Sequence, residues 1–145
     1  MITEVTHYND LTKEDLYRLV YLRTQVFIVE QNCPYQDLDD LDRTAHHVFG
    51  TINDDLIAVG RIISVKDQNK VIIGRIAVSE NFRKMGYARK LMEDIMQFIH
   101  VNYDLSLIEL SAQLYLKDFY NSMGFIEKGD SYLEDGIPHI YMYYS

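Results

Sequence analysis

The chain has 145 residues, with 22 acidic and 14 basic side chains and a net charge of −8. That length suits one domain, 1–145, whose core needs neither disulfide nor metal. The acidic excess argues against a protein that coats nucleic acid or anionic membrane.

No run of about 18 apolar residues is present, and Met1 to Asp10 lacks the basic and apolar regions of a secretion signal. The lone Cys33 permits no internal disulfide and no cysteine-built zinc site, so the cytoplasm is the expected address.

Ile2, Val5 and Tyr8 suggest a short first strand. Thr12 followed by Asp15 reads as a helix N-cap with an acid in the first turn. Leu16, Leu19, Val20 and Phe27 fit one helical face. Asn32 to Arg43, with Pro34 and four aspartates, reads as loop. His47 to Ile52 and Leu56 to Val65 read as strands around an Asn53-Asp54-Asp55 turn. Val71 to Val78 is a third strand, rich in β-branched residues.

Ala88, Leu91, Met92, Ile95 and Ile99 then form a continuous apolar helical stripe. Leu107 to Leu110 is a strand of buried type. Leu116, Phe119, Tyr120 and Met123 mark another helix, stopped by Gly124. Tyr132 and Ile137 to Tyr144 suggest a closing hairpin around Asp135-Gly136. The alternation of strands and helices predicts a mixed α/β domain with helices packed on a sheet.

The segment Ile76 to Leu91 carries the chemistry. A strand ends, a short turn follows, and an amphipathic helix begins, so bare amides and the positive end of a helix dipole face outward. Gly86 and Ala88 leave room for a ligand to approach the backbone. Between Arg75 and Lys90 stand five basic residues and one acid, a local +4 that favours an anion. The sequence has neither the Walker pattern nor the dinucleotide fingerprint.

Arg83-Lys84-Met85-Gly86-Tyr87-Ala88 resembles the acetyl-CoA motif of the GCN5-related N-acetyltransferases (GNAT). Phe119-Tyr120-Asn121-Ser122-Met123-Gly124-Phe125 is similar to that family's later Tyr-x-x-x-Gly-Phe segment, and the element order agrees over nearly the whole chain. Val29 to Asp39, His46-His47 and Asp135 to His139 resemble the ElaA-like branch. The resemblance implies a GNAT fold of α+β type: a mixed, mostly antiparallel sheet of six to seven strands with about four helices.

The resemblance also implies roles. Acetyl-CoA (coenzyme A) is the expected cofactor, and no metal is. Its pantetheine arm would pair with Ile76, Ala77 and Val78, as an added strand does. Its pyrophosphate would lie on Arg83, Lys84, Met85, Gly86, Tyr87 and Ala88, with Gln113 as a further contact. Tyr120 is the candidate general acid toward the CoA sulfur. Proton transfer from the tyrosine to the departing thiolate is uphill by about 2 kcal/mol, which limits its value. An amine acceptor costs roughly 4–5 kcal/mol to deprotonate at pH 7, so a base or water chain should help. The candidates are Glu30, His46, His47, Glu109 and His139.

Cys33, Tyr35, Asp37, Asp39 and His139 are the expected acceptor contacts. Glu30 to Asp55 holds seven acids and one arginine, a −6 stretch read as a rim that draws in a cationic amine. No local nucleophile pattern surrounds Cys33, so direct transfer in a ternary complex is favoured over an acyl-cysteine. The expected function is N-acetylation of a small-molecule or peptide amine, by a monomer or a homodimer; Tyr141, Tyr143 and Tyr144 read equally as a dimer edge or as a strand paired in the core. The alternatives are an idle acyl-CoA-binding module and an acyl-homoserine-lactone-type synthase.

Overall fold

The computed structural model describes residues 1–104 and 107–145. The strands are β1 (Ile2–His7), β2 (His46–Ile52), β3 (Asp55–Val65), β4 (Lys70–Val78), β5 (Leu107–Gln113), β6 (Ile126–Glu127), β7 (Tyr132–Glu134) and β8 (Ile137–Tyr144). The helices are α1 (Lys13–Arg23), α2 (Tyr87–Asn102) and α3 (Lys117–Asn121). Among the described residues there are thus eight strands and three α-helices, against six to seven and about four expected. The surplus strands are short: β6 has two residues and β7 three, and both pair with β8.

The sheet runs β1-β2-β3-β4-β5-β8-β6, with β7 also on β8. All pairs are antiparallel except β4 with β5, which are joined through α2 as a parallel crossover requires. β8 lies between β5 and the short β6 and β7, so the backbone of the tyrosine-rich end pairs within the chain over most of its length. Of the two readings of this end, the paired strand is the one found, and little free edge is left there for a dimer.

α2 lays its predicted stripe on one face of the sheet, where Leu91, Met92, Ile95 and Ile99 pack with Val48, Ile62, Ile73, Leu110 and Met142. Each such side chain contributes on the order of 1.5–3 kcal/mol. Tyr120 and Phe125 join this core. α1 and the segment after it cover the other face through Leu19, Leu22 and Val26 against Phe49, Val59 and Ala77.

The predicted cap of α1 is a full capping box, with Thr12 and Asp15 exchanging bonds of 3.0 and 3.1 Å. Beyond Arg23 the helix widens into a π-helical segment, Thr24–Glu30, which the single apolar face did not announce. No helix among the described residues is long and apolar enough to cross a membrane.

Candidate functional site

β4 and β5 pair only from Lys70–Leu107 to Ile73–Leu110. Beyond that point the strands part, and Ile76–Val78 and Ser111–Gln113 face each other without a ladder. The cause lies on the other side of β4. Its register with β3 jumps from Gly74–Arg61 to Ala77–Val59, so Arg75 and Ile76 stand opposite Gly60 alone. This bulge bends β4 away from β5. A Cβ on Gly60 would lie 2.9 Å from Ile76 Cδ1 and 3.1 Å from Ile95 Cδ1, so a side chain opposite the bulge would have to push both isoleucine tips aside.

From its parted end β4 leads through a short loop, residues 79–86, into the start of α2. Gly86 is the N-cap at φ +85°, and no side chain caps the helix. A Cβ built on Gly86 would meet nothing within 4 Å, so bare amides stand over open space. That suits a pyrophosphate. The side chains of the loop are more committed than the count of cations suggested. Arg83 donates from Nη2 to Glu30 at 2.7 Å and from Nε to the Val78 carbonyl at 3.0 Å. Lys90 pairs with Asp94 at 2.6 Å. Arg89 bonds the Ser122 hydroxyl and lies 5.7 Å from the Phe119 ring centre. Lys84 has no ion-pair partner among the described residues, so it and Arg89 keep positive charge free at this end.

The acidic loop differs most from expectation. Asp37 and Asp39 do not form an open rim, because three arginines of the sheet and of α1 neutralise them. Arg23 Nε lies 2.8 Å from Asp37 and Arg23 Nη1 2.7 Å from Asp42. Arg61 Nη1 lies 2.8 Å from Asp39 and 3.0 Å from Asp42. Arg75 lies 2.9 Å from Asp37 and 3.4 Å from Asp39. Arg23, Asp42, Arg61 and Asp37 are all buried. Burial alone would raise the Asp42 carboxyl, but hydrogen bonds and attraction from Arg23, then the Asp39 amide and Arg61, bring it down to about 2. Arg75, counted toward the +4, is spent here and not on a phosphate.

The candidate bases separate clearly. Glu30 ends the π-helical segment beside the loop before α2 and holds Arg83. Glu109 sits where β4 and β5 are still paired, 2.8 Å from Lys70 and 2.6 Å from the Tyr141 hydroxyl. Burial, then the Glu109 carboxylate, pushes Tyr141 up to about 12. His46 packs on His7 and on Phe98, near the far end of α2, so it is removed from the opening. Its pKa is lowered by burial and then by His7. His47 is fully buried on the α1 side, with Nε2 on the Asp42 carbonyl at 2.9 Å, and burial lowers its pKa too. These last three belong to structure, not to the opening.

His139 lies directly across from Gln113 in the β5–β8 register. Its Nδ1 is 2.7 Å from the Ile137 carbonyl and its Nε2 3.2 Å from Glu134. Tyr132 stacks on the ring and also bonds the Ser111 hydroxyl. From the loop, Gln31 meets Gln113 at 3.4 Å, and the Cys33 thiol donates to the Asp135 carbonyl at 3.1 Å. Gln113, Cys33 and His139 therefore do converge at the end of β5. Tyr35 donates to Asp37 at 3.3 Å; burial, then the Asp37 charge, raises its pKa to about 12.

Tyr120 is 5% exposed, between Phe119 and Phe125, and burial raises its phenol well above the ordinary value of 10. Its hydroxyl has no protein hydrogen-bond partner among the described residues.

Sequence reasoning missed Arg23, Arg61 and Asp42. One sign was present: Arg23 stands four residues after Leu19, on the stripe that Leu19, Leu22 and Val26 bury. An arginine on a buried face must have partners.

Comparison with known proteins agrees with this geometry. Residues 8–145 match the family model described as an acetyltransferase (GNAT) domain. Protein ElaA of Escherichia coli is 43% identical over 139 residues, covering 94% of this chain and 91% of that one. A UPF0039 protein of Schizosaccharomyces pombe is 40% identical over 138 residues, covering 94% and 91%. The crystal structure of Escherichia coli ElaA superposes with a TM-score of 0.92 at 40% identity, over 99% of each chain. An acyl-CoA N-acyltransferase from Pseudomonas aeruginosa gives 0.91 at 38% identity, over 100% of each. The bulged, parted strands and the bare start of α2 are thus set in a chain that belongs to the GNAT acetyltransferase family, in its ElaA-like branch.

Proposed function

We propose that this chain moves an acetyl group from acetyl-CoA to the primary amine of a small molecule or peptide, by direct attack in a ternary complex. One observation carries the reading: β4 leaves β5 beyond Ile73, and its unpaired end, Ile76–Val78, leads through a short loop into the uncapped start of α2. An arm that needs backbone partners and a pyrophosphate that needs bare amides then find both along one path.

The residues present fit that cofactor, since the space over Gly86 is open and the α2 amides lack a capping side chain. Bound there, acetyl-CoA supplies an activated acyl group on a good leaving sulfur. Ile76–Val78 offer the backbone edge; Gly86, Tyr87 and Ala88 offer amides; Lys84 and Arg89 offer charge. Gln113, held by Gln31, orients polar groups at the end of β5. Tyr120 stays protonated throughout the physiological range, the state in which a phenol donates.

The Cys33 thiol is spent on a backbone carbonyl rather than aimed at a base, which supports direct transfer over an acyl-cysteine. Acceptor recognition falls to the Gln31–Tyr35 strand of loop and the β7–β8 hairpin. Among the described residues these converge on Gln113.

The test is thiol release from acetyl-CoA against polyamines, amino acids, aminoglycosides and peptide N-termini. Acceptor-dependent release is expected for at least one class. Coenzyme A binding without release across the panel would leave the idle binding module as the better description. Methylthioadenosine formed from S-adenosylmethionine would indicate the lactone synthase.

A further inference from the structure

We propose that Arg75 is a positioning residue that holds open the slot between β4 and β5 and couples it to the acceptor loop; this rests on the acyl-CoA reading above. Arg75 sits in the bulge at φ +52°, a left-handed conformation that a side-chain-bearing residue disfavours. Glycine would be the ordinary choice, and Gly74 stands one position too early to supply it. Something outside the strand must therefore hold Arg75 in place.

The acidic loop does so. The Arg75 guanidinium lies 2.9 Å from Asp37 Oδ1 through Nε, and through Nη2 it donates to the Asp37 carbonyl at 2.9 Å and reaches Asp39 Oδ2 at 3.4 Å. These acceptors are themselves fixed from behind: Asp37 Oδ2 by Arg23, Asp39 by Arg61, and both arginines by Asp42. Three guanidinium groups meet three carboxylates, so the cluster carries no net charge. It is a rigid bracket, not a binding site for an ion. Asp37 Oδ1 also receives the Tyr35 hydroxyl.

Arg75 thus joins two things. Its backbone forms the bulge that turns β4 from β5, and its side chain anchors the loop that carries Cys33 and Tyr35. Nη2 makes both hydrogen bonds while Nε lies within ion-pair distance of Asp37, so the charge is spread along a planar guanidinium that lysine's compact ammonium does not reproduce. Without the anchor, β4 is free to flatten and extend its ladder along β5, closing the edge a pantetheine arm would use. The pyrophosphate cradle at α2 lies beyond the bulge and does not depend on it.

The experiment compares coenzyme A with its nucleotide half, 3′-phospho-ADP, by calorimetry on the wild-type chain, Arg75→Gln and Arg75→Gly. Arg75→Gln should weaken coenzyme A by about tenfold or more while leaving 3′-phospho-ADP unchanged. Arg75→Gly also loses the ion pairs, but glycine adopts φ +52° without cost, so it should recover part of the coenzyme A affinity. Equal weakening of both ligands, no weakening, or Arg75→Gly binding no better than Arg75→Gln would each overturn the proposal. A wild-type chain that binds neither ligand would instead overturn the acyl-CoA reading, and this proposal with it. Should Arg75→Gln not fold, Arg75→Lys, which keeps the charge and loses the fork, takes its place in the same comparison.

Discussion

The Glu30 carboxylate and the Arg83 guanidinium meet at 2.7 Å, joining the end of the π-helical segment to the loop that leads into α2. Both side chains are partly exposed, so solvent screens the pair and its worth to stability is small. Its importance is in charge. Arg83 is one of the two cations, with Lys84, that the family resemblance gives to the pyrophosphate, and Glu30 holds it in an ion pair. Glu30→Gln should free it to turn toward the phosphates and tighten coenzyme A by about two- to fivefold at low salt. Calorimetry checks this, and an unchanged or weaker affinity would show that Arg83 does not compete between the two.

The Tyr120 ring packs edge-on against Phe119 and Phe125, and its raised pKa keeps it neutral from pH 6 to 9. Tyr120→Phe should therefore lower kcat by about tenfold or less, because thiolate already leaves well, without moving the pH profile in that range. Stability should change little, since the hydroxyl gives up no protein partner. The unfolded-state phenol titrates near 10 and the folded one higher, so this group's stabilisation is complete below pH 10 and is lost as pH rises. Titrating urea stability from pH 9 to 11 for both proteins should show a shallower alkaline loss in the variant.

Asp42 makes the sign run the other way. Its folded pKa of about 2 lies below the ordinary 3.8, so its contribution is present above pH 4 and is lost as pH falls toward 2. The shift corresponds to about 2 kcal/mol. Asp42→Ala should cost more, about 3–5 kcal/mol, because Arg23 and Arg61 would remain buried without their shared partner. Urea midpoints at pH 7 and pH 3 check both statements. The gap between wild type and variant should narrow at the lower pH.

What the sequence revealed follows from distance along the chain. The Thr12–Asp15 box, the α2 stripe and the strand-turn-helix around Gly86 are local patterns, and each was legible. The arginine bracket was not, because its partners stand 14 to 38 residues apart and a running charge count gives them separate signs. Counted along the chain, Asp37 and Asp39 look like an open acidic rim and Arg75 adds to a basic stretch; folded, they cancel each other. The bulge was hidden for a related reason. Its left-handed residue is an arginine next to a glycine, so the usual marker points to the wrong position. Gln113 and His139 were legible only as single residues, and it is the β5–β8 register that brings them together.

Gly86 allows stability and binding to be separated in one substitution. A Cβ there meets no protein atom within 4 Å, so Gly86→Ala has no clash to relieve. Its cost to the fold is the left-handed φ of +85° alone, about 1–2 kcal/mol. The same methyl would project into the open space over the first amides of α2, where a pyrophosphate must come close to the backbone. Coenzyme A affinity should then fall by far more than the stability loss implies, about 30-fold or greater. The change in Tm and the calorimetric Kd, measured on one preparation, check this. A protein that loses a few degrees of Tm and binds coenzyme A as before would place the pyrophosphate somewhere other than the start of α2.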